Sequence, residues 1–221
     1  MKTKRTPHVL LRTGLLLLGL FLLWTALVLT VDVQPAGQSQ TVVGFATLNT
    51  WFHTLTGVHL WVYAATDWLG LIPVFVCLGF GCLGAIQLVR RRSLRKVDFD
   101  ILLLGIYYVV VICAYLFFEM FPINYRPILI DGFQEASYPS STTLLVLSVM
   151  PTLTFQAQRR LRHSGYRQGL AFASTLFTGF MVIGRLLSGV HWMTDIIGSV
   201  LLSRGLFLIY TAAVGLYEDN A

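Results

Sequence analysis

The sequence predicts an all-α integral membrane protein of six transmembrane helices, with short interfacial helices on the outer face. Three observations carry that prediction. Hydrophobic residues make up 56% of the 221 residues and charged residues only 12%, where soluble domains run near 25% charged. Long apolar segments recur at about 10–31, 70–89, 99–121, 142–157, 168–187 and 195–216. The basic residues gather in alternate loops rather than spreading evenly. This composition excludes a disordered chain, a nucleic-acid-binding arm, a coiled coil and an ordinary cytosolic enzyme. No soluble domain separates from the spans, so residues 1–221 form one membrane domain.

Each apolar run approaches the roughly 20 residues that cross a hydrocarbon core. Backbone groups in lipid must bond within their own segment, so the runs are helices. The first could pass for a signal peptide. Its apolar run is longer than a typical signal core, and no clean small-x-small cleavage site follows it, so it reads as a span.

Lys2, Lys4, Arg5 and Arg12 precede or open the first span. Arg90, Arg91, Arg92, Arg95 and Lys96 fill the second loop, and Arg159, Arg160, Arg162 and Arg167 fill the fourth. Positive charge stays cytoplasmic, which predicts cytoplasmic termini in a cell membrane. Arg126 and Arg185 fall on the opposite side, which frees them for a task other than topology. Arg204 lies inside the last span, where pairing with backbone carbonyls or a carboxylate is expected.

Residues 33–66 contain no Asp, Glu, Lys or Arg, yet are too polar for a clean span. Val42, Phe45, Phe52 and Leu55 recur at near-helical spacing, and Trp51, Trp61, Tyr63 and Trp68 favour an interface. One or two helices lying on the outer surface are expected. Cys77, Cys82 and Cys113 sit in apolar runs and resemble no zinc site, which predicts small core residues.

Three outer-face segments are unusually polar: Asn124-Tyr125-Arg126-Pro127, Tyr138-Pro139-Ser140-Ser141-Thr142-Thr143, and the stretch from Gly184-Arg185 through His191 to Asp195. Two guanidinium forks match phosphate oxygens. Ser140 and Ser141 open a helix, where free N–H groups and the dipole favour an anion. An Asp four residues after a His can orient the ring and raise the nucleophilicity of its far nitrogen. Taken singly, these features also fit a helix start, a cap and a loop histidine. Together on one face they describe phosphoryl transfer through a phosphohistidine.

In these residues the chain resembles the type 2 phosphatidic acid phosphatase family of integral-membrane lipid phosphatases. That family reads K-x6-R-P, then P-S-G-H, then S-R-x5-H-x3-D. Gly184-Arg185-x5-His191-x3-Asp195 matches the third motif apart from its leading Ser. Arg126-Pro127 matches the end of the first, and Pro139-Ser140-Ser141-Thr142 part of the second. The resemblance covers about residues 99–216. It implies that His191 is the nucleophile and Asp195 its partner. It implies too that Arg126 and Arg185 clasp the phosphoryl oxygens, with Ser140 and the Ser141 backbone N–H completing the cradle. No metal and no cofactor are implied.

Two positions depart from the family. Glu119 stands where the lysine is expected and Thr142 where the family's general acid histidine is expected. A threonine hydroxyl is a poor acid at neutral pH. Such a site should favour diphosphate substrates, whose leaving group needs a proton less. Alternatively Glu119 supplies the proton, or His53 or His59 reaches in. The expected activity is hydrolysis of a lipid phosphate or diphosphate (undecaprenyl diphosphate, phosphatidic acid or phosphatidylglycerophosphate). The expected partners are that lipid and the bilayer, with no nucleic acid. The alternative is a protein that binds or transports such lipids without cleaving them, or a phosphotransferase. A small-solute channel or carrier lacks the matched broken helices it would need.

Overall fold

The computed structural model describes residues 6–220, so the basic residues Lys2, Lys4 and Arg5 lie outside the described residues. The chain is mostly helical. α1 (Pro7–Thr30) leads into a small antiparallel hairpin, β1 (Gln34–Ala36) with β2 (Thr41–Val43). α2 (Ala46–Thr56), α3 (Leu60–Leu69) and α4 (Leu71–Arg91) follow. A short 3₁₀ turn over Leu94–Lys96 precedes α5 (Phe99–Met120), α6 (Ser141–Arg160), α7 (Ser164–Leu187) and α8 (Met193–Asn220).

Five stretches are long and apolar enough to cross a membrane: Pro7–Thr30, Leu60–Arg91, Phe99–Met120, Ser164–Leu187 and Met193–Asn220. At 1.5 Å per residue, even the 22 residues of α5 reach about 33 Å. The helix expected over 142–157 is α6, and it falls short of the same apolarity because it carries polar residues, among them the buried Ser148, Thr152 and Gln156. Tyr107 Oη donates to Ser148 O at 2.9 Å, Tyr108 and Thr152 share a hydroxyl bond at 2.7 Å, and Gln156 Nε2 donates to Tyr210 Oη at 2.7 Å. α6 is an interior helix, packed against α7 and α8.

α3 revises the expectation of separate surface helices. Gly70 keeps helical backbone angles, so α3 runs directly into α4. The interfacial aromatics Trp51, Trp61 and Trp68 are exposed. Cys82 and Cys113 are also exposed, so the core expected around them is elsewhere; only Cys77 is partly covered. An apolar thiol on a lipid-facing helix needs no core.

The most extensive helix pair is α1 with α8. Gly14 and Gly205 meet at the crossing, where a Cβ on Gly14 would lie 3.0 Å from the Gly205 carbonyl oxygen. Small residues of this kind let two backbones approach in a membrane bundle. The main core gathers Phe21, Val28, Leu104, Tyr107, Leu144 and Tyr210 from α1, α5, α6 and α8. At one end of the bundle Asp100 binds Arg159 at 3.2 Å and Arg160 at 2.8 Å, and Arg159 also pairs with Glu218. The candidate site occupies the other end, beside the starts of α6 and α8.

Candidate active site

The turn between α7 and α8 carries His191. Gly189 has φ +72°, and a Cβ there would lie 2.3 Å from the Gly57 carbonyl oxygen. The α2–α3 turn therefore presses directly on this loop, and the His59 N–H donates to Ser188 O at 2.9 Å. Trp192 is buried and its Nε1 donates to Tyr125 O at 2.8 Å. Asn49 on α2 bonds Thr194 through both ends of its amide, and Trp24 on α1 donates to Thr194 O at 3.1 Å. α1 and α2 thus fix the start of α8.

Asp195 sits in the first turn of α8 and is wholly buried. Its Oδ2 accepts the Trp192 N–H at 2.9 Å and lies 3.6 Å from His191 Nδ1. That separation is an electrostatic contact rather than a hydrogen bond. Asn124 Nδ2 approaches the other oxygen at 3.4 Å. His191 is 4% exposed. Burial above all, helped by the Arg126 and Arg185 charges and opposed by Asp195, pushes its imidazole down to about 4. The ring is therefore neutral near pH 7 and has a lone pair to offer.

Ser140 caps α6 and is buried; its Oγ donates to Thr143 Oγ1 at 3.0 Å, and its N–H reaches Asp195 O at 3.4 Å. Ser199 Oγ bridges the carbonyls of Ser140 and Asp195, locking the two helix starts together. Ser141 and Thr142 follow in the first turn of α6, partly covered. Their N–H groups are among those a helix leaves without an internal acceptor.

Arg126 and Arg185 converge on one ring. Their guanidinium carbons lie 5.6 and 4.9 Å from the centroid of Tyr63. Each uses Nη2 to hold a carboxylate, Glu135 at 2.9 Å and Asp67 at 2.7 Å. Arg185 Nη2 also donates to Thr142 Oγ1. What remains is telling. Nε and Nη1 of Arg126, Nε and Nη1 of Arg185, and both ring nitrogens of His191 are buried with no hydrogen-bond partner. Orphaned buried donors are costly, and an arriving anion satisfies them.

Several expected residues lie elsewhere. Glu119 is exposed near the end of α5 and, among the described residues, makes no hydrogen bond or ion pair with the cradle. His53 and His59 turn to backbone carbonyls, Gly189 O at 3.1 Å and Thr56 O at 2.9 Å. Arg204 lacks the carboxylate or carbonyl partner expected for it among the described residues. Its head is instead 5.6 Å from the Phe207 ring, in a groove between α6, α7 and α8. Tyr63, Asp67 and Glu135 escaped the sequence reading as site residues. One signal existed, since Asp67 is the sole acidic residue between Asp32 and Asp98.

Fold and site together define a helical membrane protein in which two arginines and a neutral histidine hold buried, unpartnered nitrogens. Residues 101–217 match the PAP2 superfamily, and the chain belongs to that family. Among solved structures it is similar to the first transmembrane PAP2 type phosphatidylglycerolphosphate phosphatase from Bacillus subtilis. The identity is 18%, with 94% of this chain and 97% of that chain covered and a TM-score of 0.64. No curated protein sequence matches the chain.

Proposed function

We propose that this protein is a membrane lipid phosphatase that hydrolyses a phosphate- or diphosphate-terminated lipid through a phosphohistidine. The observation that carries the reading is the set of six buried, unpartnered nitrogens on Arg126, Arg185 and His191. A phosphoryl group is the anion that such a set suits, because two guanidinium edges and an imidazole match its oxygens and its phosphorus. In this reading His191 Nε2 attacks phosphorus and Asp195 steadies the resulting imidazolium. Arg126, Arg185, Ser140 and the Ser141 N–H neutralise the oxygens, and Thr142 lines the pocket. Water then cleaves the phosphohistidine.

The single domain is read as six spans, with α6 the fourth in chain order, cytoplasmic termini and the site at the outer face of the cell membrane. Clustering of Arg90, Arg91, Arg159 and Arg160 in the last turns of α4 and α6, away from the site, supports that orientation. Candidate lipids are phosphatidylglycerophosphate, which the structural neighbour's description names, phosphatidic acid and polyprenyl diphosphates. A second reading, binding or phosphoryl transfer without hydrolysis, draws on Thr142 in the general-acid position.

The test is phosphate release from these lipids by detergent-purified protein, alongside His191→Ala. Release that disappears in the variant, with a phosphorylated His191 trapped in the parent, supports hydrolysis. Undiminished release by His191→Ala would falsify the mechanism. Tight lipid binding without release favours the second reading.

A further inference from the structure

Thr142 leaves the leaving group without an evident proton donor, and the surroundings of Thr142 supply one. Arg185 Nη2 donates both to Thr142 Oγ1 and, at 2.7 Å, to Asp67 Oδ1, so hydroxyl and carboxylate gather at one nitrogen. Asp67 lies in the last turn of α3. The following Gly70 brings that helix end against α6, where a glycine Cβ would sit 3.5 Å from Thr142 Cγ2. The Asp67 side chain is 59% exposed, unlike the buried Arg185 it touches. With Ser141 and Thr142 it lines a cleft of about 280 Å³ whose other walls are chiefly apolar, among them Leu71, Ile112 and Leu144.

Asp67 therefore marks the border between a cationic cradle and an apolar cleft. A lipid phosphate straddles such a border, its phosphoryl group among the arginines, its chain in the cleft, and its bridging oxygen between the two. We propose that Asp67 is the general acid that protonates the leaving oxygen, at the seam where Arg185, Thr142 and the apolar cleft meet. This rests on the phosphatase reading above and names the proton source for it.

The chemistry balances. In this proposal the bound phosphate monoester gives up its own proton, and the Asp67 carboxyl relays it toward the bridging oxygen. His191 Nε2 forms a bond to phosphorus as the bridging P–O bond breaks. The electron pair of that bond stays on the leaving oxygen, which takes the Asp67 proton and departs as the lipid alcohol. Water then attacks the phosphohistidine, the Asp67 carboxylate accepts a water proton, and the N–P electron pair returns to His191. Glu135 holds Arg126 in a comparable pair at 2.9 Å but does not line the cleft, so its part is to position that arginine.

Leaving-group dependence separates an acid from a positioning residue. Purified full-length protein and Asp67→Asn are compared on a long-chain alkyl phosphate and on p-nitrophenyl phosphate, whose leaving group needs no proton. General acid catalysis contributes 10²–10⁴-fold, so the ratio of alkyl to p-nitrophenyl turnover falls by about a hundredfold or more in Asp67→Asn. Asp67→Glu, which keeps the carboxyl, recovers part of that ratio. An unchanged ratio overturns the proposal, whether both rates fall together or neither falls. Parent protein that cleaves neither substrate removes the phosphatase reading, and this proposal with it.

Discussion

Acidification should cost this protein stability through one side chain, and the size of the loss follows from the burial of His191. In the unfolded chain the ring takes a proton near 6.5, while in the fold it does so near 4. The unfolded state therefore binds more protons between those values. The stability that the neutral ring confers is complete above 6.5 and drains away as pH falls toward about 4. A gap of that size corresponds to about 3 kcal/mol. For a chain of this length each kcal/mol moves the melting midpoint by about 2–4 °C, so about 6–12 °C is at stake. The assay is thermal unfolding in detergent near neutral pH and near pH 4, for the parent and for His191→Gln, whose amide does not titrate. The parent should lose about 6–12 °C more than the variant across that interval. Equal losses would mean that the ring ionises in the fold as it does in water. The burial-driven lowering of the ring, and the acid loss of stability that follows from it, would then have to be abandoned.

Two further substitutions probe the scaffold. Gly189→Ala places a methyl group 2.3 Å from the Gly57 carbonyl oxygen on a residue at φ +72°. A left-handed alanine alone costs about 1–2 kcal/mol, and the clash moves the His191 loop, so phosphate release should fall more than tenfold while the helical circular-dichroism signal persists. Asp100→Asn removes the shared partner of Arg159 and Arg160. Fully buried pairs lose 3–5 kcal/mol on such a change; these arginine heads are partly open, so about 2 kcal/mol is expected, read as a lower melting midpoint with lipid phosphate turnover retained.

The long helices were legible because lipid leaves the backbone no alternative, and long, predominantly apolar runs in α1, α5, α7 and α8 announce themselves. α6 was legible only in outline. Its Ser148, Thr152 and Gln156 dilute the apolar signal, and the tyrosines that bond this helix, Tyr107 at the Ser148 carbonyl, Tyr108 at Thr152 and Tyr210 at Gln156, lie on other helices. The same limit applies at the site. Arg126, Ser140, Arg185, His191 and Asp195 stand out because arginines off the basic side and a His–Asp pair at four-residue spacing are unusual for their surroundings. Tyr63 and Asp67 do not, because their meaning depends on where α3 docks, and its sequence reads as an ordinary interfacial stretch. Spacing within a segment is written locally; the approach of one segment to another is not. Arg204 shows the reverse failure. Its depth was plain, but the Phe207 face that receives it depends on side-chain direction.

The pairing of α1 with α8 has a consequence for biosynthesis. The earliest helix in this sequence is held chiefly by the latest, across the Gly14–Gly205 contact, and Trp24 reaches the very turn that precedes Asp195. While the ribosome is still making the middle helices, α1 waits in the bilayer without its main neighbour. Closure of the bundle and completion of the histidine loop become a single late event, and nascent chains arrested before α8 hold no working centre.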